Sequence, residues 1–255
     1  TRMLTLPWPF APMAPLVILP TYQEAENIRH ALTRVREVVP EAHVLVVDDG
    51  SPDGTADLAD EVGREFGQIH VLRRPAKAGL GPAYRAGFAW GIEHDHDVLV
   101  EMDADGQHDP AVLPDLIATL ERAPADLVIG SRYVPGGAVP GWPANRRLLS
   151  QWGNRYIGFM LKLGVRDATA GFRAYRTTII EKIGVDRVRA DGYGFQIEMA
   201  YEVVKAGGRI VEIPITFRDR QKGVSKMSPN IVGEALVLVT RWGVRDRVQR
   251  LRRRG

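Results

Sequence analysis

Three oxygen-bearing side chains, Asp103, Asp105 and Gln107, recur at every second position of Met102-Asp103-Ala104-Asp105-Gly106-Gln107-His108. In extended backbone that spacing turns all three to one side. Carboxylate and amide oxygens are hard ligands suited to Mg²⁺ or Mn²⁺. A divalent ion held there would bridge a diphosphate and neutralise it as a leaving group. An isolated D-x-D is most often a solvated turn. This one follows the apolar run Val98-Leu99-Val100, which reads as a buried strand. His108 reads as a turn residue or a support for the ligands rather than as a ligand.

Other residues suit the rest of a nucleotide-sugar site. Tyr22 can stack on a base, and Glu24 or Asp49 can accept hydrogen bonds from a base or a ribose. Helix capping competes for Glu24. An Asx turn competes in Asp48-Asp49-Gly50-Ser51, so one of those two aspartates is expected to be a turn-former. Arg132, Arg146, Arg147, Arg173, Arg220, Lys222 and Lys226 are candidate phosphate binders, the guanidinium by its bidentate fork. Arg146 and Ser150 share a helix face near a helix start, where the dipole favours an anion. The Gly-containing loop 220–226 is placed to close over a diphosphate. Lys77-Ala78-Gly79-Leu80-Gly81 is neither a Walker loop nor a dinucleotide fingerprint and carries little weight alone. His94 and His96 read as loop residues.

These residues need a scaffold. Apolar runs at 16–19 (ended by Pro20), 44–47, 69–72, 98–100 and 127–129 read as strands. Between them, helical periodicity covers 24–39, 55–66, 82–93 and 110–121. Strands alternating with helices indicate βαβ units, hence an α/β fold with a mainly parallel sheet flanked by helices. Ligands of such sheets bind beyond the carboxyl ends of the strands. The polar segments following the first, second, fourth and fifth strands therefore converge on one crevice. The second half reads as a long helix at 145–163, strands at 170–175 and 209–217 around a helix at 195–206, and a polar loop at 218–228. An amphipathic helix at 231–251 ends the chain.

The chain of 255 residues has no cysteine, which excludes disulfides and thiolate metal sites and fits a reducing compartment. Residues 241–255 hold seven arginines against Asp246, a net +6, so residues 1–240 carry −3 under the total of +3. A basic end of this kind suits an anionic partner such as a membrane surface. No apolar run approaches the roughly 20 residues of a membrane span. Four prolines within 1–15 oppose a signal sequence and read as a Pro-rich arm. Starting without Met, the chain reads as a processed or excised piece of something longer. Residues 16–228 read as the catalytic domain and 229–255 as an amphipathic, basic C-terminal helix.

Leu19-Pro20-Thr21-Tyr22-Gln23-Glu24-Ala25-Glu26-Asn27-Ile28, Val47-Asp48-Asp49-Gly50-Ser51-Pro52-Asp53-Gly54-Thr55 and the segment 102–108 resemble the family-2 glycosyltransferases of the GT-A fold. Gly130-Ser131-Arg132-Tyr133-Val134, Asp167-Ala168-Thr169-Ala170-Gly171-Phe172-Arg173 and the loop 220–226 narrow the resemblance to the dolichyl- or polyprenyl-phosphate mannose synthases. The resemblance implies a Rossmann-like GT-A sheet. It also implies inverting, Mg²⁺- or Mn²⁺-dependent transfer of mannose from GDP-mannose to a polyprenyl monophosphate. By the same resemblance, Pro20, Tyr22, Glu24, Val47 and Asp49 would hold the guanosine. Asp103, Ala104, Asp105 and Gln107 would serve the diphosphate and metal, with Asp105 and Gln107 foremost as ligands. Arg132, Arg220 and Lys226 would contact donor or acceptor phosphates, and Arg146 and Ser150 the lipid phosphate. Asp105 and Arg132 are the expected catalytic residues. Members of this group often carry membrane-spanning helices, and none is legible here. Leu238 stands where processive relatives need the Gln of Q-x-x-R-W, which argues against a polysaccharide synthase.

A phosphate acceptor simplifies the chemistry. A sugar hydroxyl needs a general base before it attacks. A phosphate monoester, with a second pKa of about 6, is already ionised. The protein's task is then to hold two anions together and stabilise the departing diphosphate. Ile231, Ala235, Leu238 and Trp242, followed by the arginines, suit a helix lying in a membrane interface, although packing on the domain competes for its first turns. The expectation is peripheral attachment to the cytoplasmic face, with a membrane-protein partner or fused domain left open. The alternative donor is UDP-glucose. A sugar-phosphate nucleotidyltransferase would need a Gly-rich, Arg-containing loop after the first strand, and Pro20-Thr21-Tyr22 is not one. No nucleic-acid partner is expected, because an Arg-tail binder would leave the strand-end acids unexplained.

Overall fold

The computed structural model describes residues 14–218 and 229–252. Most of the Pro-rich arm and the loop bearing Arg220, Lys222 and Lys226 lie outside the described residues. Seven strands form one sheet: β1 (Pro15–Thr21), β2 (His43–Asp48), β3 (Ile69–Arg73), β4 (Val98–Glu101), β5 (Leu127–Ser131), β6 (Arg173–Arg176) and β7 (Ile210–Pro214). Their order is β3-β2-β1-β4-β6-β5-β7. All neighbours run parallel except β6, which is antiparallel to β4 and β5. This is the mainly parallel α/β sheet that the alternating pattern requires, with one reversed strand that the pattern does not reveal.

The strands bury both faces, so their side chains alternate between two cores. Val17, Leu19, Val44, Val46, Val98 and Val100 pack against α1 (Ala25–Val38), α2 (Thr55–Phe66) and α4 (Leu113–Arg122). Leu16, Ile18, Leu45, Val47 and Leu99 face α3 (Leu80–Glu93) on the other side. α3 approaches closely because Gly87 and Gly91 face the sheet. A Cβ on either would sit 2.5 Å from Ile18 or 2.4 Å from Leu99. Pro20 does not end β1. Pairing to β4 stops at Ile18–Glu101, so Pro20 lies where β1 has only β2 beside it and a missing N–H is tolerated.

The second half supplies α5 (Ala144–Leu161), α6 (Thr177–Ile183), α7 (Tyr193–Lys205) and α8 (Pro229–Arg252). α6, which the sequence pattern did not reveal, covers the same sheet face as α3. α5 and α8 share a third core with α7, built on Ile157, Met160, Ile197, Tyr201, Ala235 and Val239. This corrects the reading of the α8 stripe. Ala235 is buried, Trp242 packs on this core and stacks on Tyr201, and Leu238 lies beside Gly194. The side chain of Ile231 lies outside the described residues. Helical spacing of apolar residues is equally satisfied by protein and by lipid, and here the protein takes the stripe.

The exposed apolar residues lie elsewhere. Leu148, Trp152 and Phe159 are 63, 56 and 69% exposed and form one stripe of α5 at helical spacing, with Leu149 beside it. Val237, Val244 and Val248 of α8 are exposed as well. No helix among the described residues is long and apolar enough to cross a membrane.

Candidate active site

A cavity of about 720 Å³ opens at the carboxyl ends of β1, β2, β4 and β5. Parallel sheets place ligands there, where strand order switches on either side of β1. Pro20, Tyr22, Glu24, Asp49, Asp103, Ala104, Asp105, Gln107, Arg132 and Arg146 all line it. Val47 and Ser150 are not among its lining residues. Val47 is fully buried on the α3 face of β2, and any part it has in a nucleoside site is confined to backbone. The Ser150 hydroxyl accepts a 2.6 Å hydrogen bond from Tyr133, one layer behind the wall.

The end of the cavity bearing Tyr22, Glu24 and Asp49 is built by two neighbouring turns. Asp48 accepts bonds from the Thr21 hydroxyl and from the amide and hydroxyl of Ser51. It is the turn-former of the pair. Asp49 instead accepts from Arg74 at 2.6 Å and from the Ala78 amide at 3.0 Å. Glu24 occupies the N-cap position of α1 without making a side-chain cap bond, and its carboxylate accepts from Asn27 instead. The Lys77 ammonium lies 4.3 Å from the Tyr22 ring centroid. The glycine segment after Lys77 therefore belongs to the site, although its sequence matches no phosphate-loop pattern.

The acidic segment is not extended. Residues 104–108 form successive bends, with Gly106 at φ +77°. Asp105 folds back to accept the Gln107 amide at 2.9 Å. The i, i+2, i+4 side chains meet in one cavity because of this turn, and not through the strand periodicity that suggested them. His108 is buried, stacks on Phe172, and its Nδ1 accepts the Asp103 backbone amide at 3.0 Å. That bond makes it a support for the acidic segment. Since Nδ1 accepts there, its 3.8 Å approach to the Asp103 carboxylate is not a charged pair. The buried Tyr84 hydroxyl, held protonated by burial and by Asp103, donates to that carboxylate at 3.4 Å.

Among the described residues no three His, Cys, Asp or Glu side chains form a ready cage for a metal ion. The donors are two carboxylates, Asp103 and Asp105, and the Gln107 amide. That set fits a hard cation that takes its remaining ligands from water and substrate phosphates, the usual manner of Mg²⁺.

Arg132, just beyond β5, directs Nε and Nη2 to Asp167 at 2.7 and 2.6 Å, while its backbone amide adds a bond at 3.0 Å. The fork that would match a phosphate is thus committed to a carboxylate. Burial alone would raise the Asp167 pKa, but the charge and hydrogen bonds of Arg132 override it and hold the group low. Arg146 packs at 3.8 Å over Trp142, whose ring meets Phe217 edge-on. Trp142 and Phe217 both line the cavity and had no signal in the sequence. Arg173 is not a phosphate binder. It is fully buried, and its guanidinium bonds the backbone oxygens of Ala168, Ala170 and Gln196.

Residues 16–184 match the model of the family described as glycosyl transferase family 2. The chain is 52% identical to an undecaprenyl-phosphate mannosyltransferase of Micrococcus luteus, over 95% of this chain and 99% of that one. It is 50% identical to a polyprenol monophosphomannose synthase of Mycolicibacterium smegmatis, over 93% of this chain and 89% of the other. Two solved structures share the fold. A Mycobacterium tuberculosis glucosyl-3-phosphoglycerate synthase with Mn²⁺ and UDP has a TM-score of 0.66 at 19% identity, over 89% of this chain and 76% of that one. The mannosyltransferase PcManGT of Pyrobaculum calidifontis with GDP-Man and Mn²⁺ has a TM-score of 0.57 at 18% identity, over 94 and 76%. With the expected sheet, the acid-lined crevice and matched motifs in order along most of its length, the chain belongs to glycosyl transferase family 2 and is an enzyme of that family.

Proposed function

We propose that this enzyme transfers mannose from GDP-mannose to a polyprenyl monophosphate, giving polyprenyl-phosphate mannose with inversion at C1. The observation that carries the reading is one cavity whose lining joins the acids Asp103 and Asp105 to the cations Arg132 and Arg146. The acids suit a diphosphate bound through a divalent ion, and the cations suit a second anion. A mannosyltransferase name on both close relatives supports the sugar and the lipid acceptor. The GDP-Man and Mn²⁺ bound by a fold relative support the donor and the metal.

On this reading Tyr22, Glu24 and Asp49 hold the nucleoside. Asp103, Asp105 and Gln107 hold Mg²⁺ or Mn²⁺, which when bound neutralises the leaving diphosphate. Arg146, stacked on Trp142 at the first turn of α5, holds the acceptor phosphate. Arg132, ion-paired with Asp167, shapes this wall and meets a phosphate only without its bidentate fork. The acceptor needs no general base, because its oxygen is already ionised. Water exclusion matters more, since a stray water at C1 would hydrolyse the donor.

The acceptor's chain requires a lipid surface beside the cavity. The exposed stripe of α5 begins within one turn of Arg146, carries Arg155 between Trp152 and Phe159, and has Arg147 at its edge. An exposed apolar face with arginines on it and beside it suits a helix lying in the interface of an anionic bilayer. Attachment is therefore peripheral, with α5 rather than the α8 stripe as the contact. Incubation with labelled GDP-mannose, polyprenyl phosphate and Mg²⁺ or Mn²⁺ tests the reading. Labelled lipid is expected, and its absence while UDP-glucose yields product would replace the donor.

A further inference from the structure

Gln196 has no role in the site as described so far. It lies in the first turn of α7, is 2% exposed, and lines the cavity. Among the described residues neither its Nε2 nor its Oε1 has a hydrogen-bond partner. The amide faces the buried Glu101 carboxylate, whose pKa it pulls downward through a hydrogen-bonding approach that falls short of full hydrogen-bond geometry. The Gln196 backbone is fixed, because its carbonyl accepts from Arg173 at 2.7 Å. A buried amide with no well-formed hydrogen bond at either end is costly, and proteins seldom keep one without use.

The surroundings say what would satisfy it. Gly171 carries no side chain, and a Cβ there would meet His108 at 3.7 Å, Gln196 Nε2 at 3.8 Å and Asp103 Oδ2 at 3.9 Å. The amide thus shares an open point with the acidic segment, on the side of Gly171 and α7 and away from the Tyr22 and Asp49 turns. An amide offers one donating and one accepting end. An ionised phosphate only accepts, and would leave Oε1 unbonded. A sugar hydroxyl both donates and accepts, and neighbouring hydroxyls satisfy both ends together.

We infer that Gln196 is a specificity-determining residue, binding the hydroxyls of the transferred hexose next to the diphosphate. This rests on the nucleotide-sugar reading above. Its mechanistic value is positional. Hydroxyls held by Gln196 fix the ring's rotation, and with it the face of C1 offered to the acceptor phosphate. Gly171 belongs to the same device, since any side chain there would fill the space the ring needs.

The test compares wild type with Gln196→Met, which keeps the length of the side chain and removes both hydrogen-bonding ends. Affinity for GDP is measured beside steady-state transfer from GDP-mannose and GDP-glucose. The expected result is unchanged GDP affinity, kcat/KM for GDP-mannose lower by about tenfold, and a reduced preference for mannose over glucose. Gln196→Glu, which keeps only acceptors, is expected to recover part of the loss. If Gln196→Met transfers mannose as wild type does with the same preference, the inference is overturned. It is overturned equally if GDP affinity falls in step with transfer, since Gln196 would then shape the whole cavity and not the sugar site. Failure of the wild-type enzyme to use any nucleoside-diphosphate sugar would instead overturn the underlying reading.

Discussion

Asp167 takes three hydrogen bonds from Arg132, two from the guanidinium and one from the backbone amide, across 35 positions of sequence. Both residues are buried. The pair fixes the end of β5 to the segment that leads into β6. Asp167→Ala leaves a buried guanidinium uncompensated, at a cost of about 3–5 kcal/mol. A urea or thermal midpoint lowered to match is expected, with Asp167→Asn intermediate because it keeps the shape. A midpoint within experimental error of wild type would show that the pair is not a structural tie.

The acidic segment gives a second prediction. Asp105→Asn is expected to lower turnover about a hundredfold or more, and a chelator to abolish it until Mg²⁺ or Mn²⁺ is restored. His108→Phe keeps the stack on Phe172 and loses the acceptor for the Asp103 amide. About tenfold weaker activation by added metal is expected, read as a rightward shift of the metal titration. Equal titration curves would remove His108 from the support of this segment.

The α5 stripe gives a third. Replacing Leu148, Trp152 and Phe159 by Asp together is expected to prevent co-sedimentation with vesicles containing anionic lipid. Turnover of a short, water-soluble prenyl phosphate should stay within about twofold, since the stripe has no part in binding the phosphate itself. Undiminished sedimentation would move the membrane contact elsewhere, the basic residues 241–255 being the next region to delete.

A fourth concerns pH. At the amino ends of the strands, His43 Nδ1 and His70 Nε2 meet at 3.2 Å with their rings 17° from parallel. His96 and Trp90 lie beside them. Two imidazoles so placed share one proton and repel a second. Burial lowers the pKa of His43, His70 and His96, with Arg36 adding to the effect on His43. Unfolded histidines take up protons below about 6.5 while the folded cluster resists them. Its stability is therefore full above that pH and is lost as pH falls below it.

Glu101 acts in the opposite sense. Burial pushes its pKa up to about 7 against the pull of Arg173. Between about 7 and 4.5 the folded state binds a proton that the unfolded state does not, so acidification there adds stability. Melting of the metal-free protein from pH 8 to 5 should accordingly show a steeper acid loss in Glu101→Gln than in wild type. His70→Gln should show a shallower one. Parallel profiles for all three would refute the assignment.

The first half of the chain was legible because strand and helix periods alternate there without interruption. Its strand ends carry turn chemistry that named the crevice. Beyond residue 131 the legibility fades for physical reasons. β6 is four residues long and reversed, and no local pattern records strand direction. Arg173 looks like any phosphate-binding arginine until its guanidinium is seen to hold three carbonyl oxygens. Gln196 and Trp142 are unremarkable by type, and only burial and convergence give them meaning. The acidic segment shows a subtler case, in which three side chains that share the cavity were grouped by a periodicity that the backbone does not adopt.

The reversed strand also sets a timetable for assembly. β1 to β4 pair only with one another until β6 arrives, so the half lined by Tyr22 and Asp49 is complete in sequence by Glu101. β5 reaches the sheet only through β6 on one side and β7 on the other, and Arg132 waits for Asp167. A chain emerging from the ribosome can thus form the layer bearing Tyr22 and Asp49 early, while the wall bearing Arg132 closes last. Premature stops or pauses between residues 132 and 173 would leave a layer with an open β4 edge, which is where misassembly and aggregation should begin.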